Sequence, residues 1–290
     1  MNAVPVTAII TAYQRVEQTL HTLTQIQNCR PPPAEILVHV DGGEKTCAKA
    51  ILDSCPEVKI ITSEENLGPG GGRNKLIAAA EYEFVASFDD DSYPIDVDYF
   101  SRLIQIFNRF PEALILDARV YLPGEQIRED LKKGQWVASF SGGACCYNRD
   151  LFLQLKGYVP IPIAYGMEEV DLSLQISAAG GKILKTDWLR VYHDTNLKRH
   201  DEPNITSNSI MNITLLTYLH YPLMLWWIGA IQVTKRIIWL ICNGRWRGIL
   251  SGLVMMPQHI YKYRTYRETY SSKVIISNLI MRRHPVDIEY

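Results

Sequence analysis

The chain has little net charge, formally -1, with 30 Lys and Arg against 31 Asp and Glu. That balance excludes a global basic field for gripping nucleic acid, so any electrostatic steering must come from local clusters. Paired cysteines are also missing. Cys29, Cys47, Cys55, Cys145, Cys146 and Cys242 form no CxxC and follow no regular spacing, which argues against a disulfide frame or a zinc site and for reduced thiols in a cytosolic protein. The opening "MNAVPVTAII" has neither a basic flank nor a long apolar region, so it reads as a first strand rather than a secretion signal. No internal repeat is found. What remains is 290 residues, 47% hydrophobic and 21% charged, enough for one large core or one domain with an appendage.

Strand-like and helix-like segments alternate along the first part. "PVTAIITAY" reads as a buried strand and "RVEQTLHTLTQIQ" as a helix with Val16, Leu20, Leu23 and Ile26 at helical spacing. "AEILVHVDGG", "EVKIITSEEN" and "FVASF" are further strands, with "EKTCAKAILDSC" and "KLIAAAEYE" as helices between them. The run "NLGPGGGRN" reads as a loop before the last of these helices. Such alternation predicts right-handed βαβ units and an α/β fold with a mainly parallel sheet between helices. Ligands bind beyond the carboxyl ends of strands in such sheets. Asp41, the glycine-rich run and Asp89 to Asp91 all fall at that edge, from three different strands. Beyond Tyr93 the pattern loosens, and "EEVDLSLQISAAGG" reads as a helix opening on three acids.

"EFVASFDDDSYP" (Glu83–Pro94) carries three aspartates side by side, which repel unless something compensates them. Hard carboxylate oxygens suit Mg2+ or Mn2+, with phosphates and water completing the shell. Alternation along an extended backbone predicts that Asp89 and Asp91 share one target while Asp90 faces elsewhere. Taken alone, the run also fits a solvated turn closed by Ser92 and Pro94. The glycines of "NLGPGGGRN" would admit an anion to backbone N–H groups at a helix start, with Arg73 adding a charge for a diphosphate. The run is neither GxGxxG nor GxxxxGK followed by Ser or Thr, which weakens dinucleotide and P-loop readings.

In sequence order, "TAYQR", "VHVDGG", "NLGPGGGRN", "FDDDSYP", "GGACCYNRDLF", "GMEEVDLSLQISAAGGKI" and "VYHD" make the chain resemble the glycosyltransferase family 2 enzymes of the GT-A fold, within them the bacterial rhamnosyltransferase-like members. The resemblance spans roughly Pro5 to Asp194. It implies an inverting transfer of sugar from a nucleotide-diphosphate donor to an acceptor hydroxyl, assisted by Mn2+ or Mg2+. Carried onto this chain, it places Ala12, Tyr13 and Asp41 against the base and ribose, and Arg15, Asn66, Gly68, Gly71, Arg73, Asp89 and Asp90 along the rest of the nucleotide sugar. It also places Asp89 and Asp91 on the metal, with Asp91 the direct ligand and His193 completing coordination. The catalytic base falls on Glu169, where aspartate is the commoner residue, with Glu168 and Asp171 as competitors. Carboxylates in a first helical turn are also favoured by the helix dipole alone.

After about Asn204 the composition turns apolar and basic, which divides the chain into a catalytic domain over residues 1–203 and a helical region over 204–290. Lys235 and Arg236 interrupt "YPLMLWWIGAIQVTKRIIWLICNGRWRGIL" short of the roughly 20 apolar residues of a membrane span. Trp226, Trp227, Trp239 and Trp246 among Arg245, Arg247 and those two cations predict amphipathic helices lying in a membrane interface. The setting that follows is the inner face of a bacterial cell membrane, with a glycan or lipid-linked acceptor in surface-polysaccharide assembly, no nucleic acid partner, and homo-oligomerisation open. Two rival readings share these residues: a metal-dependent nucleotidyltransferase or phosphohydrolase, and a non-catalytic membrane scaffold with a sugar-nucleotide fold.

Overall fold

The computed structural model describes residues 2–43, 45–195 and 202–290. Small and β-branched residues make β1 (Val4–Ala12) a strand whose side chains from Val6 to Ile10 are all buried, as a strand covered on both faces requires. Its parallel neighbours are β2 (Pro33–Val40) and β4 (Phe84–Asp89), and β3 (Lys59–Thr62) pairs parallel with β2. Helices α1 (Val16–Gln27), α2 (Lys45–Ser54) and α3 (Gly68–Ala79) make the crossovers. This half follows the expected βαβ pattern.

The second half does not stay parallel. A short β5 (Ser92–Pro94) and helix α4 (Tyr99–Arg109) lead to β6 (Ala113–Tyr121), β7 (Lys133–Val137) and β8 (Ala144–Asn148). After the short helix α5 (Arg149–Phe152) come α6 (Glu168–Ala178) and β9 (Lys182–His193). Strand β8 runs antiparallel between β4 and β6, and β7 and β5 run antiparallel to β9, which is itself parallel to β6. Among the described residues the ten-stranded sheet is therefore mixed, in the order β10 (Val286–Glu289)-β7-β9-β6-β8-β4-β1-β2-β3, with β5 against β9. The expectation of a mainly parallel sheet holds for its first half only. Strand polarity depends on how connections route, and local patterning does not encode that.

The glycine-rich run is also not a loop, because α3 begins at Gly68 and contains the glycines. Gly68 sits at φ +70°, and a Cβ there would collide with the Ile161 carbonyl. At Gly72 a Cβ would stand 2.6 Å from His39 Nδ1. These glycines bring the helix close to β2 and to the 158–162 segment.

Helices α7 (Pro203–His220), α8 (Trp226–Cys242), α9 (Ile249–Tyr263) and α10 (Ser272–Met281) form the C-terminal layer. The tail then returns to the sheet as β10 (Val286–Glu289), antiparallel to β7, and Tyr290 packs edge-on against Phe110 and Trp188. A region expected to be helical thus ends as an edge strand of the sheet that carries the site. Leu215, Leu216 and Leu219 of α7 share a core with Val159, Ile161 and Met167 just ahead of α6. Among the described residues, Leu223–Cys242 is one helical stretch long and apolar enough to cross a membrane by length and composition, at mean hydropathy 1.3, so the two cations interrupt it less than the sequence reading held. No disulfide joins the six cysteines, and all but Cys242 are buried.

Candidate active site

A cleft of about 290 Å³ opens beyond the carboxyl ends of β1, β2 and β4. Of the ten residues expected on the donor side, Ala12, Tyr13, Arg15, Asp41, Asn66, Gly68, Asp89 and Asp90 line it. Thr11, His39, Pro69 and Pro162 line it as well. His39, near the end of β2 and two residues before Asp41, was passed over by the sequence reading. Pro162 is more than seventy residues from any of the others in sequence, and no local pattern announces it.

Asp41 accepts hydrogen bonds from the backbone N–H groups of Leu67 (2.9 Å), Gly68 (2.9 Å) and Gly42 (3.1 Å). The positive end of α3 is thus occupied by a carboxylate of the chain itself, where a phosphate was expected. Gly71 faces Leu67 and Pro160 instead of the cleft. Arg73 is buried to 1% exposure and does not line the cleft. It donates from Nε to Ser87 Oγ (3.2 Å), from Nη1 to Glu168 Oε1 (2.8 Å) and from Nη2 to Asp89 Oδ1. Its position is that of an internal clamp between two acids, which corrects its expected place on the diphosphate.

The three aspartates do not divide as alternation predicts. Strand β4 ends at Asp89 and the next two residues form a turn, so the period of two stops there. Asp90 and Asp91 share Arg15, which donates from Nε to Asp90 Oδ2 (2.8 Å) and from Nη1 to Asp91 Oδ2 (2.7 Å). Asp89 turns to Arg73 and to the Thr11 hydroxyl (3.3 Å). Burial pushes the Asp90 carboxyl up to about 7 despite the arginine beside it. The charges expected to need a cation are met in the folded chain by two arginines.

Strand β5 pairs Ser92 with His193, which sets His193 Nε2 3.1 Å from Asp91 Oδ1. Burial alone would raise the Asp91 carboxyl, but the bond from His193 and the Arg15 charge outweigh it and leave it below the usual range. For His193, burial is outweighed by Asp91 and Asp89, and the imidazole titrates above its ordinary value. Among the described residues no three His, Cys, Asp or Glu side chains converge to hold a metal unaided. An imidazole nitrogen and a carboxylate oxygen side by side still fit a divalent ion whose other ligands are phosphate oxygens and water.

Helix α6 separates the three candidate bases. Glu168 and Asp171, three residues apart, share its buried face. Glu168 holds Arg73, its Oε2 has no partner among the described residues, and burial pushes its carboxyl up to about 8. Asp171 is fully buried and bonded to His220 Nε2 and to Gln175 Nε2 (3.3 Å), so it does not meet an acceptor. Glu169 is half-buried, with Oε1 accepting from the Gly142 N–H at 3.4 Å, and burial raises its carboxyl. His220 went unnoticed at the sequence level. Its Nδ1 donates to the Glu268 carbonyl at 2.9 Å, and its ring stacks on Tyr270 at 5.0 Å.

The family described as Glycosyl transferase family 2 matches residues 7–155, about half of the chain. No curated protein matches the sequence. Solved structures with the same fold include GalNAc-T7 with UDP, GalNAc and Mn2+ (15% identity, TM-score 0.59, covering 77% of this chain and 49% of that one). The mannosyltransferase PcManGT from Pyrobaculum calidifontis, in complex with GDP-Man and Mn2+, aligns at 12% identity and TM-score 0.56, over 91% of this chain and 74% of that one. TarS residues 1–349 from S. aureus align at 14% and 0.53, over 74% and 70%. The chain spans about half the length of the first of these. At such identities the likeness establishes the fold, which is GT-A.

Proposed function

The chain belongs to glycosyl transferase family 2, and from that premise we propose that it moves a sugar from a nucleotide diphosphate to an acceptor hydroxyl with inversion at the anomeric carbon. One observation carries the reading: eight donor-side residues, from the ends of β1, β2 and β4 and from the start of α3, meet in a single cleft, with the Asp91–His193 pair beside it. Asp41, fixed by three backbone donors, and the Tyr13 ring, 45% exposed at the mouth, present a polar group and an apolar face to a nucleoside. Asp91 and His193 would hold Mn2+ or Mg2+. When bound, that ion supplies positive charge to the leaving diphosphate.

The chain's own residues do the rest. Glu169 takes the proton of the attacking hydroxyl, and burial, by raising its carboxyl, makes it a stronger base for that step. Arg73 does not touch donor; it fixes Asp89 and, through Glu168, the first turn of α6. Asp91→Asn tests the reading. Turnover, read as release of nucleoside diphosphate, should fall by at least about 100-fold, with the Mn2+ dependence of nucleotide binding abolished. Release of pyrophosphate or phosphate by the unaltered chain would move the reading to a nucleotidyltransferase or phosphohydrolase, and nucleotide binding without any turnover would leave a scaffold.

We place the C-terminal layer at an anionic membrane surface, where a lipid-linked glycan is the acceptor in bacterial surface-polysaccharide assembly. Trp227, Ile238, Trp239, Trp246, Leu250 and Val254 are exposed beside Lys235, Arg236 and Arg247. Gly229 lets α8 lie against Thr217 of α7, a contact that favours a helix resting on the membrane over one crossing it. This docking surface implies a cytoplasmic protein held peripherally.

A further inference from the structure

A second cavity, of about 570 Å³, opens beside Ser141. It is linked to the base through one residue: the Ser141 N–H donates to the buried Asp117 carboxylate at 2.9 Å, and the N–H of the next residue, Gly142, donates to Glu169 Oε1 at 3.4 Å. One wall is the end of β6. There the register against β9 jumps from Ala118–Thr186 to Arg119–Arg190, leaving residues 187–189 of β9 unpaired in a bulge. Bulges next to active sites re-aim side chains, and this one turns Asp187 to Arg119, 3.1 Å away at the cavity wall. The facing wall is the segment after β6, carrying Glu125 and Arg128. That segment is anchored, because Arg190 Nη1 donates to the Arg128 carbonyl at 2.5 Å and Arg102 pairs with Asp130 at 2.6 Å.

The chemistry of the lining selects the ligand. Arg119, Arg128 and Lys185 offer only donors, whereas Glu125 and Asp187 offer only acceptors. Arg119 and Asp187 pair with each other, but an apolar ligand would strip water from that pair and from the charges around it. A polyanion would meet two carboxylates, and a cation three positive charges. A hydroxyl both donates and accepts, so a cluster of hydroxyls satisfies both kinds at once.

We infer that this cavity is the acceptor subsite and takes a neutral, hydroxyl-rich saccharide residue, with Arg119 and Asp187 orienting it so that one hydroxyl reaches Glu169. The inference rests on the transferase reading above. In the step it serves, the acceptor oxygen bonds to the anomeric carbon and its proton passes to the Glu169 carboxylate. The bond from that carbon to the diphosphate oxygen breaks, and its electron pair leaves with the nucleoside diphosphate.

Saturation-transfer NMR on the full chain tests it, with methyl glycosides of glucose, galactose, mannose, rhamnose and N-acetylglucosamine as probes, and glucose 6-phosphate beside them. Spectra are taken with and without UDP or GDP and Mn2+, and nucleotide affinity is measured separately by calorimetry. At least one neutral glycoside should receive saturation. Its affinity should fall about tenfold or more in Asp187→Ala, in Arg119→Ala and in the half-exposed Lys185→Ala, as loss of a charged hydrogen bond implies, with nucleotide affinity unchanged. Saturation of no neutral glycoside, tighter binding of glucose 6-phosphate, or unaltered glycoside binding in all three variants would overturn the assignment. A chain that binds glycosides at this cavity but no nucleotide would sink the transferase reading and spare the cavity.

Discussion

At the acidic rim, charged groups lie inside the protein: Arg73, Glu168, Asp90 and Asp91 are all buried, and each is held by an ion pair. On α8 and α9 apolar groups lie outside, with Trp227 at 61%, Val254 at 71% and Leu250 at 75% exposure. Both regions invert the usual partition of a soluble domain. The inversions differ in kind. Buried charge is stable only while every partner is present, so the rim is a mutually dependent network. Exposed apolar side chains contribute little to folding and stay free for another surface.

The largest way to break that contrast is Arg73→Met, which leaves Asp89 and Glu168 without their shared cation. Urea unfolding should show a loss of about 3–5 kcal/mol, and turnover should vanish with it. An unchanged midpoint would mean that the rim tolerates unpaired charge and is no network at all. His220→Ala removes the partner that ties Asp171 of α6 to the C-terminal layer. We expect a smaller loss, about 2–3 kcal/mol, together with a reduced kcat at unaltered nucleotide affinity.

Asp117 sharpens the comparison through pH. Burial pushes its carboxyl up to about 7 from the ordinary value of 3.8. Between those values the folded state holds a proton that the unfolded chain has released, so stability from this group is full below about pH 4 and is lost as pH rises through 7. Asp117→Asn, which keeps an acceptor for the Ser141 N–H, should flatten that slope in thermal unfolding. The smallest effect belongs to the outer helices. Trp227→Ser with Leu250→Ser should change stability by no more than about 0.5 kcal/mol each while sharply reducing co-sedimentation with anionic phospholipid vesicles. Equal sedimentation of both chains would remove the membrane assignment and leave these residues for a protein partner.

The donor side was legible because its residues sit at strand ends within continuous motifs, where periodicity and turn chemistry are local properties. "VHVDGG" and "FDDDSYP" announced a sheet edge, and β2 and β4 end where those motifs place the edge. Arg15, Asn66 and Gly68 came from the family resemblance instead, and they line the same cleft. The base helix was legible as a helix, but only the family resemblance put Glu169 ahead of Glu168 and Asp171, because their difference is which face of α6 is covered.

The sequence by itself determined the strands and helices of the first half, that their acidic ends share one edge, and that the tail is apolar and basic, since each follows from residue type at short spacing. Tertiary structure alone decided that Arg73 clamps two acids inside the protein and that α3 starts on Asp41. It also decided that His193 stands beside Asp91 and that β10 rejoins the sheet. Those outcomes hang on contacts between residues 16 to 152 positions apart. A charge finds its partner across such distances only when the sheet order is set, and no local period carries that order.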